Sequence, residues 1–218
     1  MNKEPKSFDW YKLRNHMVEN QLIARGIYDP HVIRAMRTVK RHKFVPIDML
    51  SKAYDDEPLP IGLGQTISQP YIVAHMSELL RISQNDTVLE VGTGSGYQAA
   101  VLSQLANHVI TVESIASLAN EAKERLQSMG IHNISVLQGD GGLGTPHHGP
   151  YEAIIVSAAA PEIPEPLMLQ LKIGGRLVAP IGQSNDQTLV LYKNIGYRSV
   201  LKKLYAVRFV SLTGEWGL

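Results

Sequence analysis

The sequence predicts an α/β protein with a mostly parallel, seven-stranded sheet, helices on both faces, extra N-terminal helices and an antiparallel C-terminal edge. Three observations support this fold class. Short β-rich runs alternate with helical segments from residue 86 onward, a glycine-rich loop follows the first of these runs, and the last two strand-like runs have no helix between them. The 218 residues suffice for one sizeable domain, and no change of composition marks a second one.

The N-terminal part, residues 1–82, has the pattern of helices joined by a loop. Apolar residues at helical spacing predict a helix over 9–25 that stops at Gly26. Asp29 at the cap and Pro30 in the first turn predict a second helix, and a third is expected over 70–82. The segment 56–70 between them is rich in Pro and Gly, which predicts an ordered loop without regular structure over much of its length.

The part from residue 86 to 218 is predicted to form the sheet. Predicted strands cover 87–91, 108–112, 134–137, 151–156, 175–179, 187–195 and 201–212. Predicted helices cover 97–106, 115–129 and 164–171. Strands that alternate with helices pair in parallel through crossover connections, whereas the last two runs predict an antiparallel hairpin at one edge.

Charge and composition exclude several classes of function. The 21 Lys and Arg against 20 Asp and Glu leave a net charge of +1, which gives no long-range attraction to nucleic acid or an anionic membrane. The chain has no cysteine, which excludes disulfides and thiolate chemistry and fits a reducing compartment. No secretory signal or membrane-spanning run is present, so a cytoplasmic protein is expected. The adjacent His147 and His148 have no carboxylate cluster beside them, so no metal site is expected.

The glycine loop carries the clearest functional signal. Gly92, Gly94 and Gly96 follow a predicted strand and precede a predicted helix, where bare backbone can approach a ligand closely. A dinucleotide motif would need a third glycine where Tyr97 stands. With Glu90 two residues ahead, the pattern Glu-x-Gly-x-Gly-x-Gly resembles the first motif of S-adenosylmethionine (SAM) methyltransferases, in which a carboxylate suits the ammonium group of SAM.

Two further acidic residues follow the next two predicted strands. Glu113 lies 21 residues after Gly92 and could accept from two vicinal ribose hydroxyls, a feature that NAD and SAM sites share. Asp140, in the run Gly139-Asp140-Gly141, could accept from an adenine amino group. Each residue alone could be an ordinary turn or strand end. Together, at the ends of successive parallel strands, they predict one cofactor crevice.

Several segments together resemble the bacterial form of the protein-L-isoaspartate O-methyltransferase family, from about residue 14 to 214. The segment 64–70, Gly-Gln-Thr-Ile-Ser-Gln-Pro, is the most specific of them, whereas the glycine motif is shared with many methyltransferases. The other matching segments are 17–22, 25–27, 41–46, 90–102, 139–141, 158–164, 170–178 and 207–210.

The resemblance implies a Rossmann-like methyltransferase fold in a single domain, and we expect a monomer. It implies methyl transfer from SAM to the free carboxylate of L-isoaspartyl and D-aspartyl residues in damaged proteins, giving an ester that collapses to a succinimide. The family's active-site serine falls on Ser68. Its cofactor contacts fall on Gln65, Thr66, Ile67, Ser68, Gly92, Gly94, Gly96, Glu113, Asp140, Gly141 and Thr213.

The chemistry of this reaction gives Ser68 a definite role. A carboxylate acceptor with a pKa of ~3.5 is already ionised at neutral pH, so the reaction needs no general base. Ser68 lies in no Gly-x-Ser-x-Gly elbow, so we assign it hydrogen-bond donation to the acceptor instead of nucleophilic attack. Pro70 at the first helical position would leave the cap to Gln69 and free the Ser68 hydroxyl. The alternative is an ordinary turn or helix-cap serine.

Other functions remain open from the sequence. A methyltransferase of the same fold could act on a small molecule or RNA, and a SAM-binding protein could lack catalysis. The small residues 158–160 offer no contacts for an amine acceptor, although tight packing explains them equally well. Gly142 and Thr145 also depart from the family, which usually has an aromatic residue and a Trp at these positions. This change could alter the shape of the substrate pocket.

Overall fold

The computed structural model describes residues 8–183 and 186–217. Its strands are β1 Leu59–Gly62, β2 Gln65–Ile67, β3 Thr87–Val91, β4 His108–Glu113, β5 Ile134–Gln138, β6 Tyr151–Val156, β7 Leu171–Gln183, β8 Asp186–Asn194 and β9 Ser199–Val207. Its α-helices are α1 Trp10–His16, α2 Pro30–Thr38, α3 Pro70–Leu80, α4 Tyr97–Leu102, α5 Ala116–Ser128 and α6 Glu165–Leu169.

Seven strands form one sheet in the order β5-β4-β3-β6-β7-β8-β9. The pairs among β5, β4, β3, β6 and β7 are parallel, and β8 and β9 continue the sheet antiparallel to their neighbours. The predicted parallel sheet with an antiparallel edge is therefore confirmed. The strand order reverses at β3, because β4 and β5 are added to the sheet on one side of β3 and β6 is added on the other. Such a reversal opens a crevice at the carboxyl ends of the strands.

The central strand β3 is buried on both faces, as a parallel strand between two helical layers must be. Val88 faces a cluster that contains Met76 and Leu80 of α3. Leu89 and Val91, two residues apart, face the cluster on the other side of the sheet, which contains Leu167 of α6. This alternation fixes the strand register, since a slip of one residue would exchange the two faces.

The helix predicted over 9–25 changes its form along its length. The structure has α1, then a π-helical turn Met17–Leu22, then a 3-10 turn Ile23–Arg25, and Gly26 ends the run with a φ of 92°. Met17 and Leu22, five residues apart, are both buried. The wider i→i+5 turn brings such a pair onto one face, which an α-helix would separate.

The segment 56–70 contains a two-stranded antiparallel hairpin of β1 and β2, so the prediction of mostly irregular structure was wrong. The glycines that suggested a loop are confined to the turn, where Gly62 and Gly64 have φ values of 94° and 72°. Pro60 is tolerated in β1 because a two-stranded hairpin consists of edge strands only. The hairpin places Ile61 above the glycine loop, 3.5 Å from where a Cβ of Gly94 would lie.

The two predicted helix starts are confirmed. Asp29 caps α2 by accepting from the backbone N–H groups of His31 and Val32. Gln69 occupies the cap position of α3, with Pro70 in the first turn, and its side chain makes no capping hydrogen bond.

Arg41 links the N-terminal part to helix α4. Its side chain is fully buried, its Nε donates to the Ala53 carbonyl at 2.9 Å, and its guanidinium lies 5.0 Å from the ring centre of Tyr97 in α4. Burial lowers the pKa of Arg41 to about 10, and the group keeps its charge at neutral pH. Within the described ranges no helix has the length and apolar character to cross a membrane.

Candidate active site

A cavity lies at the carboxyl ends of β3, β4 and β6, beneath the hairpin. It brings together most of the residues that the sequence predicted for the site. Gln65, Thr66, Ile67, Ser68, Gly92, Gly94, Glu113, Gly141 and Thr213 line it. Glu90, Gly96 and Asp140 lie outside its lining. Segments that are far apart along the chain therefore converge on one site.

The glycine loop presents bare backbone to this cavity. Gly92, Gly94 and Gly96 have φ values of 90°, 53° and 86°, a conformation that side chains disfavour. Glu113 is only 6% exposed and its carboxylate accepts from the Gly94 N–H at 2.8 Å and from the Ile115 N–H at 3.1 Å. This carboxylate lines the cavity and fastens the loop to the end of β4 at the same time.

Glu90 supports the site from behind. It is fully buried, and its Oε2 accepts from the Thr111 hydroxyl at 2.6 Å. Thr111 shares a further hydrogen bond of 2.7 Å with Thr93 of the glycine loop. Glu90 Oε1 has no hydrogen-bond partner among the described residues. Burial raises the pKa of Glu90 to about 8, the nearby charge of Glu113 adds to the rise, and the Thr111 hydrogen bond opposes it.

Asp140 is held by backbone groups on both sides. Its Oδ1 accepts from the Gly142 N–H at 2.9 Å, and its Oδ2 accepts from the Glu215 N–H at 2.8 Å. The neighbouring Gly141 lines the cavity, and a Cβ there would lie 2.5 Å from Val91 Cγ1. Only glycine fits this close approach to β3.

Ser68 lies where the cavity meets a second groove. The groove is lined by Pro58, Gln69, Ile72 and residues 206–209, and it shares Thr66, Ser68, Ser157 and Val210 with the cavity. The Ser68 side chain is half-buried and has no hydrogen-bond partner within residues 8–183 and 186–217. The hydroxyl is therefore available to a ligand that spans both spaces.

Asp56 closes the base of the hairpin. Its carboxylate pairs with Arg25, accepts from Gln69 Nε2 at 2.7 Å and accepts from the Tyr71 N–H at 3.3 Å. Because Gln69 supplies no cap of its own, Asp56 caps α3 from a distance of 15 residues along the chain. The Arg25 guanidinium also stacks on the Tyr71 ring at 3.8 Å. These contacts fix both ends of the segment that carries Ser68.

Sequence reasoning missed Ser157, Val210 and Leu212 as lining residues. Ser157 directly follows β6, the neighbour of β3, so the rule that placed Glu113 at a strand end could have found it. The other two come from the segment after β9, whose arrival at the cavity no local pattern indicates. In the part of the chain that the structure describes, no group of three or more His, Asp or Glu residues is placed to hold a metal.

Comparison with known proteins agrees with this geometry. The family model described as protein-L-isoaspartate(D-aspartate) O-methyltransferase matches residues 12–217. The chain belongs to this family. A protein-L-isoaspartate O-methyltransferase from Methanoculleus marisnigri is 53% identical over 205 residues, which cover 94% of this chain and 93% of the relative. The protein-L-isoaspartate O-methyltransferase 2 of Pelobacter propionicus is 52% identical over 208 residues, covering 94% and 92%.

Solved structures of the family confirm the Rossmann-like methyltransferase fold. One protein-L-isoaspartate O-methyltransferase aligns with a TM-score of 0.85 at 32% identity, over 94% of this chain and 67% of that one. A Plasmodium falciparum protein described as a member of the same family aligns with a TM-score of 0.77 at 27% identity, over 92% and 98%. That structure is a complex with S-adenosyl-L-homocysteine (SAH).

Proposed function

We propose that this protein uses SAM to methylate the free carboxylate of L-isoaspartyl and D-aspartyl residues in damaged proteins and peptides. One observation carries the proposal: Ser68 and Thr66 line both the cavity at the strand ends and the adjoining groove. A methyl donor in the first space and a peptide in the second would meet at this shared wall.

The residues of the cavity fit the cofactor. Glu113 offers a carboxylate to vicinal hydroxyls, and Gly92 and Gly94 offer backbone without side chains. We assign Gln65, Thr66, Ile67, Ser68, Gly141 and Thr213 to the same binding site. When bound, SAM supplies an electrophilic methyl group on a sulfonium sulfur. Glu90, Gly96 and Asp140 support the site from outside the lining, by fixing the loops that form it.

The groove suits a peptide main chain. Its walls combine the apolar Ile72, Val207 and Phe209 with Arg208, and it lies open at the surface. Ser68 donates a hydrogen bond to the acceptor carboxylate and holds one of its oxygens toward the donor methyl group. The carboxylate oxygen forms the new bond to carbon, and the electrons of the breaking carbon–sulfur bond stay on sulfur. No proton has to move, because the acceptor is already an anion.

Holding two reactants in line can supply roughly 7–11 kcal/mol of a barrier. The buried glycine loop and the clamped hairpin provide such fixed positions on the two sides of the cavity. The products are SAH and a methyl ester, and the ester collapses to a succinimide without help from the protein.

We propose in addition that residues 1–218 act as one methyltransferase domain, as a monomer in the cytoplasm, without a nucleic-acid substrate. The net charge of +1 and the absence of cysteine support this setting.

Methyl transfer from tritiated SAM tests the function. The protein is offered an isoaspartyl peptide, a twin peptide with normal aspartate and an RNA. We expect base-labile label on the isoaspartyl peptide alone. Label on the RNA or equally on both peptides would support a different acceptor, and SAM binding without any label would support a protein that binds but does not catalyse.

A further inference from the structure

Residues 211–217, here called the strap, cross the carboxyl edge of the sheet. The Leu212 N–H donates to the carbonyl of Ala159, after β6, at 2.7 Å. The Thr213 hydroxyl donates to Ser114, after β4, at 2.7 Å, and the Glu215 N–H donates to Asp140, after β5, at 2.8 Å. Three residues within the short segment 212–215 thus tie three strand ends together.

The strap is also a wall of the cofactor cavity. Leu212 is buried, and both Leu212 and Thr213 line the cavity. Trp216 packs against the apolar cluster on that face of the sheet. The strap is therefore packed into the site, although it belongs to no strand. The last strand, β9, already ends at Val207.

The strap also packs closely against Gly142. A Cβ on Gly142 would lie 3.0 Å from Trp216 Cβ and 3.2 Å from Asp140 Oδ1. In this chain the strap occupies the space beside residue 142, where the family usually has an aromatic residue. A larger residue at 142 would require Trp216 or the Asp140 carboxylate to shift.

Gly214 sets the distance between the strap and Asp140. Its φ is 103°, and a Cβ would lie 2.3 Å from Asp140 Oδ2. Any side chain at 214 would displace either the strap or the Asp140 carboxylate, and either movement would disturb the hydrogen bond from the Glu215 N–H. Asp140 in turn orders the turn that carries Gly141, which lines the cavity.

We propose that the strap is a working part of the cofactor site, in which Gly214 and the Glu215 N–H are positioning groups that hold Asp140 and the Gly141 wall. Cofactor affinity then depends on the docked strap, and binding of the cofactor stabilises the docked form. This inference rests on the SAM site named above, but it does not depend on the identity of the methyl acceptor.

The decisive variant is Gly214→Ala, with Gly130→Ala as its control. Gly130 has a φ of 72°, so alanine is strained there too, but no atom lies within 4 Å of its Cβ. We expect Gly214→Ala to raise the Kd for SAH in calorimetry by about tenfold or more, because it displaces a cavity wall. Gly130→Ala should leave this Kd unchanged. Equal SAH affinities in both variants would overturn the proposal.

Two further measurements separate positioning from simple stability. The KM for SAM should rise in Gly214→Ala while kcat at saturating SAM and the KM for the peptide stay the same. In the wild-type protein, SAH should slow amide hydrogen exchange at residues 212–215. This measurement does not depend on whether a variant folds. If SAH slowed exchange at Gly92 and Gly94 but not in the strap, the strap would be only structural. A fall in kcat of Gly214→Ala without a change in the KM for SAM would lead to the same conclusion.

Discussion

The two sides of the cavity are held in different ways. The cofactor side is built from backbone that buried parallel strands position, and its main side-chain fastening is Glu113 on the Gly94 N–H. The acceptor side is a short hairpin whose base is held by the Asp56 carboxylate. This carboxylate pairs with Arg25 and accepts hydrogen bonds from Gln69 and Tyr71. Gln65, Thr66 and Ile67 of the hairpin also line the cofactor cavity, but the two sides are held by different contacts. We therefore expect variants that affect mainly cofactor binding or mainly acceptor positioning.

The largest effect is expected from Ser68→Ala. Removal of one hydrogen-bond donor to the reacting group should lower kcat by roughly 10²- to 10³-fold. SAH affinity measured by calorimetry should stay close to that of the wild type, since the glycine loop and Glu113 remain intact. Ser68→Thr, which keeps a hydroxyl, should retain part of the activity. Wild-type turnover in Ser68→Ala would remove the role assigned to this hydroxyl.

The next effect is expected on the cofactor side, from Glu113→Gln. Loss of the charged acceptor should raise the Kd for SAH by roughly 10- to 100-fold, the range for a hydrogen bond to a charged group. The variant should bind a peptide substrate normally once SAM is saturating. Glu124→Gln, on the exposed face of α5, is the control and should bind SAH as the wild type does. Similar SAH affinities in both variants would contradict the assignment of Glu113.

A smaller effect is expected on the acceptor side, from Asp56→Asn. The change weakens the contacts to Arg25, Gln69 and Tyr71 together, so the Ser68 hydroxyl should be held less firmly in position. We expect kcat/KM for the peptide to fall by about tenfold, with SAH affinity unchanged. The neighbouring Asp55→Asn removes the same charge at an exposed position and should leave both quantities unchanged. A weaker SAH affinity in Asp56→Asn would show that the two sides are not independent.

The smallest effect concerns stability and the buried Glu90. Its pKa is about 8 in the folded protein against an ordinary value of 4.5, so the folded state binds its proton more tightly. The stability that this group contributes is fully present below about pH 4.5 and is lost as the pH rises through about 8. Glu90→Gln cannot titrate, so the wild type should lose stability relative to it over this interval. Urea unfolding of both proteins at several pH values measures the difference, and a pH-independent difference would contradict the raised pKa.

The same comparison shows how far the sequence could predict the structure. The strands on the cofactor side could be predicted closely, and the bounds of β3 and β6 agree with the predicted 87–91 and 151–156. Their residues are mostly apolar on both faces, which leaves little freedom of register. The lining positions of Gly92 and Gly94 follow from the end of β3, and that of Glu113 follows from the end of β4.

The acceptor side could be predicted less well, for physical reasons. The hairpin of β1 and β2 was missed because its Pro and Gly content matches an irregular loop until a partner strand is known. The role of Asp56 depends on contacts with residues 13 and 15 positions later and 31 positions earlier, which no periodicity reveals. Asp140 lies outside the lining, and its carboxylate accepts from the Glu215 N–H of the strap, whose approach local sequence does not indicate.

A crystal structure of the protein with SAH and an isoaspartyl peptide would test the central claim most directly. The account predicts SAH in the cavity against Gly92, Gly94 and Glu113, the peptide in the groove along Val207 and Phe209, and the isoaspartyl carboxylate within hydrogen-bond distance of Ser68 Oγ on the side that faces the sulfur. A carboxylate bound away from Ser68, or SAH bound outside the crevice at the ends of β3 and β4, would contradict it.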